Sequence, residues 1–127
     1  MADTVVRHVL QDGDTLRVAI SCICDATGNT AIVADRSALT DALGNAAGPL
    51  AIKSVKATVS GMAYATLQFD HTTDDVMLVL PQGETCFKGG DLGQLIDPGS
   101  DGGTGDLTLT APAGTAGAYC VVIEVSK

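Results

Sequence analysis

The residues able to do chemistry are few and scattered. His71 stands among acids in Phe69-Asp70-His71-Thr72-Thr73-Asp74-Asp75, where a neighbouring carboxylate could orient the imidazole for general-base work. Catalytic constellations are assembled from distant parts of a chain, and no Gly-x-Ser-x-Gly turn supplies a nucleophile. This run is therefore read as a solvated polar hairpin turn. Asp97, Asp101 and Asp106 lie among glycines, as a calcium loop requires, but their spacing departs from Asp-x-Asp-x-Asp-Gly and no chelating Glu follows. Turn formation accounts for the same residues. Gly102-Gly103-Thr104-Gly105 precedes a strand pattern rather than a helix, so it is no phosphate cradle.

Four cysteines complete the inventory: Cys22, Cys24, Cys86 and Cys120. Cys22 and Cys24 fall on one face of a predicted strand, whose geometry holds neighbouring same-face sulfurs apart. A zinc site would need further ligands at short spacing, and His8 and His71 are far apart in sequence. The thiols are read as reduced. The expectation is of no catalytic residue, no cofactor and no metal, hence a protein that is not an enzyme.

Composition narrows the function classes. The chain has 127 residues, enough for one domain with its own core. Fifteen acids against seven bases give a net charge of -8. That balance repels a phosphate backbone and an anionic bilayer, which argues against nucleic-acid and membrane partners. Aromatics make up only 3%, with no Trp, so the core must be aliphatic. No basic and apolar leader is visible at Met1-Ala2-Asp3-Thr4, and no apolar run is long enough to span a bilayer as a helix. Synthesis in a cytosol is expected.

Period-two alternation dominates the chain. Thr4–Leu10 reads as an edge strand or arm, followed by the turn Asp12-Gly13-Asp14. Leu16, Val18, Ile20, Cys22 and Cys24 then share one face. Thr30–Ala34 is a short strand, and Asp35 or Ser37 caps a short helix over Ala38–Leu43. In Leu50–Ser60 the apolar parity switches after Ile52, which marks a bulge or a corner where the strand changes sheet. Gly61 is read as a turn, with Ala63, Ala65, Leu67 and Phe69 inward beyond it. Val76–Leu80 is a strand buried on both sides that Pro81 ends. Gln82–Gly105 reads as one long ordered loop, anchored by Phe87, Leu92, Leu95 and Ile96. The strands over Leu107–Ala111 and Tyr119–Val125 flank Ala113-Gly114-Thr115-Ala116-Gly117 and are read as an antiparallel hairpin. Because the sequence stops with this strand pattern, no targeting tail is expected. The predicted fold is all-β: a single two-layer antiparallel sandwich, jelly-roll-like, over residues 1–127.

Several segments also carry a resemblance. Ile32-Val33-Ala34-Asp35-Arg36-Ser37-Ala38-Leu39, Pro49-Leu50-Ala51-Ile52-Lys53-Ser54-Val55, Leu67-Gln68-Phe69-Asp70, Gly89-Gly90-Asp91, Thr104-Gly105-Asp106-Leu107-Thr108-Leu109 and the terminal Tyr119–Lys127 strand form one arrangement. In this the chain resembles small virion structural proteins of tailed bacteriophages, the capsid cement or decoration proteins. The resemblance implies a non-enzymatic protein, often a homotrimer, that binds the major capsid protein on the outer surface of a phage head. It implies no catalytic residues. The expected location is the virion, after synthesis in the host cytoplasm. Thr4, Val6, His8 and Leu10 on the edge strand, with Phe87, Leu92, Leu95 and Ile96 in the long loop, are the candidate partner contacts. Two alternatives stand beside this reading. One is a tail or neck component of the virion. The other is a small carbohydrate-binding module, weakened by the missing Trp and by Tyr64 and Tyr119, whose strand positions are expected to be at least partly buried.

Overall fold

The computed structural model describes residues 4–13, 15–24, 28–40, 43–45, 50–71, 75–88, 95–97, 104–112, 114 and 116–126, excepting the side chains of residues 4 and 29. Eight antiparallel strands are present among them: β1 (Thr4–Asp12), β2 (Thr15–Cys24), β3 (Asn29–Ala34), β4 (Ala51–Phe69), β5 (Asp75–Lys88), β6 (Leu95–Ile96), β7 (Leu107–Ala111) and β8 (Gly117–Ser126). Along the main path the order is β1-β2-β8-β4-β7-β3, with β5 and β6 also paired to β4. The sheet is nearly closed in a barrel-like arrangement. At the seam, Arg7 Nε on β1 donates to the Val33 carbonyl on β3 at 2.9 Å. No helix among the described residues is long and apolar enough to cross a membrane.

The core follows from the alternation. Leu16, Val18, Ile20, Cys22 and Cys24 of β2 are buried, as are Tyr119, Val121, Ile123 and Val125 of β8. Their partners Arg17 and Glu124 point outward and form an ion pair on the exterior. The register of β2 on β8 is unbroken from Thr15–Ser126 to Cys24–Gly117, so every inward residue meets an inward residue.

β4 organises the rest. It is 19 residues long and changes neighbours midway. Its first half pairs with β8, from Ala51–Ser126 to Ser60–Ala118, whereas residues Thr66–Phe69 pair with β7. The apolar parity switch is a bulge: the register against β8 shifts between Ile52 and Ser54. The change of neighbour itself falls at Gly61. There the strand bends without ending, with Gly61 at φ +79° and Met62 buried beneath the bend. Opposite it, the pairing to β5 skips from Val59–Gly83 to Tyr64–Pro81.

Several expectations are corrected. The Leu107–Ala111 and Tyr119–Val125 segments do not form a hairpin with each other, because β4 lies between them in the sheet. Gly61 is a corner within one strand, and Ala63 is exposed. Pro81 does not end β5, which runs on to Lys88, so the start of the expected long loop is strand. A proline is tolerated there because, among the described residues, β5 pairs on one side only, with β4. The same edge position leaves Val76 and Val79 more than half exposed, where burial on both sides was expected. The helix expected over Ala38–Leu43 is not formed at its first described residues: one 3₁₀ turn spans Arg36–Ala38, capped by Asp35 through the Ser37 amide, Leu39 is extended, and residues 41–42 lie outside the described residues.

Candidate functional site

The most concentrated chemistry lies where the two ends of β4 meet. The strand coils so far that Leu50, just before it, and His71, just after it, both contact Asp97. The Asp97 amide donates to the Leu50 carbonyl at 2.9 Å. Its carboxylate Oδ1 lies 2.5 Å from His71 Nε2. Asp97 follows directly on β6, whose two residues pair with Ala51 and Ile52, and this pairing delivers the carboxylate. Asp75, the first residue of β5, places Oδ2 3.7 Å from the same His71 nitrogen.

Burial makes this a site and not a surface pair. The side chains of His71 and Asp97 are 4% and 1% exposed, and that of Asp75 is 26% exposed. The Asp75 Oδ2 atom is itself out of solvent and accepts no hydrogen bond among the described residues. Around the cluster the backbone is tightly tied. Asp70 N donates to the Asp106 carbonyl at 2.9 Å, and Gly105 N to the Asp70 carbonyl at 2.8 Å. The other two carboxylates are engaged: Thr104 Oγ1 donates to Asp70 Oδ2 at 2.7 Å, and the Arg36 amide to Asp106 Oδ1 at 2.8 Å. Gly105 leaves room for this packing, since an added Cβ would lie 3.0 Å from Arg36 Nη1 and 3.2 Å from Asp97 Oδ2.

The expected solvated turn at His71 is therefore corrected: the imidazole is buried against Asp97. Nothing in the local sequence marks this, because the partner is 26 residues away. Asp106 is buried as well. Asp101 and the residues 72–74 lie outside the described residues. His71, Asp75 and Asp97 are the only group of three or more His, Cys, Asp or Glu ligands that converge among the described residues, their ligand atoms all within 4.8 Å of one another.

The cysteines do not join them. Cys22 and Cys24 are buried on β2 with their sulfurs 2.7 Å apart, closer than expected for same-face neighbours, while Cys86 and Cys120 are exposed on the exterior. Tyr119 is buried, whereas Tyr64, expected to be at least partly buried, is 42% exposed.

The predicted contact residues divide. On β1 every described side chain from Val5 to Asp12 is exposed, on both faces of the strand. Val6 and His8 are on the outer face, opposite Ser21 and Ala19, and Leu10 lines an outer groove with Arg17, Lys56, Val122 and Glu124. The backbone of Thr4 starts the strand. Ile96 is 61% exposed, but Phe87 and Leu95 are partly buried against the core. Leu92 lies outside the described residues.

The fold places this chain among all-β antiparallel sandwich or barrel proteins. No family model, curated protein or solved structure matches it.

Proposed function

We propose that this chain is a non-enzymatic structural protein that works by attachment, a cement or decoration protein seated on the outer surface of a phage head. One observation carries the reading. Among the described residues β1 pairs with β2 on one side only, and it exposes Val5, Val6, Val9 and Leu10 between 41% and 56%. An open-edged strand with exposed apolar side chains is a liability unless something covers it. Strand addition by a partner, or by neighbouring copies around a threefold axis, satisfies the edge, and a partner surface packed on the strand covers its apolar side chains. The outer half of β5 offers a second open edge, from Pro81 to Lys88. In this reading the major capsid protein is the partner, the assembled form is a homotrimer, and the protein is made in the host cytoplasm and resides on the virion.

The test is binding to isolated phage heads by sedimentation, with light scattering on the free protein. Deleting residues 1–10, or replacing Val6→Lys with Leu10→Lys, should abolish shell binding while the barrel stays folded. Unchanged binding and unchanged oligomeric state in the double variant would remove the proposal.

A further inference from the structure

We propose that His71, Asp75 and Asp97 form a site for one divalent transition-metal ion of the zinc class. This inference is independent of the attachment reading. Both carboxylates approach a single imidazole nitrogen: Nε2 is 2.5 Å from Asp97 Oδ1 and 3.7 Å from Asp75 Oδ2. That nitrogen carries at most one hydrogen, which serves Asp97 and leaves Asp75 beyond hydrogen-bond distance. Asp75 Oδ2 is nevertheless shielded from water and has no hydrogen-bond donor among the described residues. Leaving a carboxylate oxygen in that state is unfavourable. A metal ion in the place of the one proton is shared by all three ligands.

The surroundings separate these three residues from ordinary acidic surface. Asp70 and Asp106 already accept hydrogen bonds from Thr104 and Arg36, so they complete the frame and not the ligand set. An imidazole with two carboxylates suits zinc, manganese, iron or cobalt; calcium and magnesium prefer all-oxygen sets. Metal–ligand bonds of about 2.0–2.2 Å require the donors to sit roughly 3–3.5 Å apart. The Asp97–His71 contact must open by about 1 Å and Asp75 must close slightly, both within rotamer adjustment. The ion would fasten the β4–β5 turn to β6, so that it joins both ends of β4. Any remaining coordination positions would be filled by water.

Co²⁺ is the probe, because it reports its ligands. Titration into the chelator-treated protein should show one equivalent bound, with visible absorption from nitrogen and oxygen ligands and no thiolate-to-cobalt charge-transfer band. Thermal unfolding should move upward with Co²⁺ or Zn²⁺. Asp75→Asn should fold as wild type in chelator yet weaken binding at least about tenfold, and His71→Gln should abolish it. Absence of binding at millimolar Co²⁺, a thiolate band from the exposed cysteines, or unchanged affinity in Asp75→Asn would each overturn the site. Asp75→Asn decides the matter even where His71→Gln does not fold.

Discussion

The bend in β4 depends on two backbones approaching closer than side chains permit, which makes a quantitative prediction. A Cβ on Gly117 would lie 2.5 Å from the Ser60 carbonyl oxygen and 3.0 Å from the Gly61 carbonyl carbon. Both are backbone atoms of the β4 corner, so no side-chain rotation relieves the clash and the strands must part. Overpacking of this kind costs about 1–3 kcal/mol. Gly61→Ala meets the same obstacle from the other side, 3.0 Å from Gly117 Cα, and adds the left-handed backbone at φ +79°. That backbone costs a further ~1–2 kcal/mol, for a total of about 2–5 kcal/mol. The assay is urea unfolding. With a slope of about 2 kcal/mol/M, Gly117→Ala should lower the midpoint by roughly 0.5–1.5 M. Because either methyl separates the same two backbones, the double variant should cost less than the sum of the two singles, by more than about 0.5 kcal/mol. Gly13→Ala, with nothing within 4 Å of the added carbon, should stay within about 0.5 kcal/mol of wild type. A Gly117→Ala protein as stable as wild type, or strictly additive singles, would refute the account of the corner.

Three further outcomes are expected. Asp97→Ala in the presence of chelator should destabilise by about 1–3 kcal/mol in the same assay, because it strips a buried imidazole of its 2.5 Å partner. The Asp35 carboxyl is held below its usual range, chiefly by the Ser37 hydroxyl and also by the Ser37 and Ala38 amides. Its contribution is therefore present above the ordinary carboxylate value and lost as pH falls through the lower folded value. Amide exchange at Ser37, measured by NMR and corrected for intrinsic pH dependence, should accelerate across that acidic window and should do so at all pH values in Asp35→Ala. In the reduced native protein, a thiol reagent should modify Cys86 and Cys120 rapidly and reach Cys22 and Cys24 only after denaturation; four fast-reacting thiols in the native state would contradict their burial.

Much of the fold was legible because strand alternation records which face a residue takes. β2 and β8 read correctly residue by residue, the bulge at Lys53 appeared as a parity switch, and Asp35 was one of two cap candidates, though the turn it caps, Arg36–Ala38, lies before the expected helix. Alternation does not record which strand lies alongside. β7 and β8 look like a hairpin by sequence, yet a strand from the middle of the chain separates them. Pro81 and the glycines after it read as loop, because turn chemistry and an open sheet edge favour the same residues. For the candidate site, Asp97 was visible only as one acid in a glycine-rich segment, and His71 only as part of a polar turn. Their union depends on how far β4 coils, a global property that no local window contains.

The position of β8 has a consequence for how the molecule is made. It follows the other seven described strands in sequence, yet it sits between β2 and β4, holding together two elements synthesised long before it. Until it emerges from the ribosome, β2 and half of β4 present bare hydrogen-bonding groups and unshielded aliphatic rows. Closure must therefore wait until β8 has been made, and its contacts are far apart along the chain, which favours slow folding, in milliseconds to seconds. Chaperone dependence during biosynthesis should be governed by that delay more than by the stability of the finished barrel.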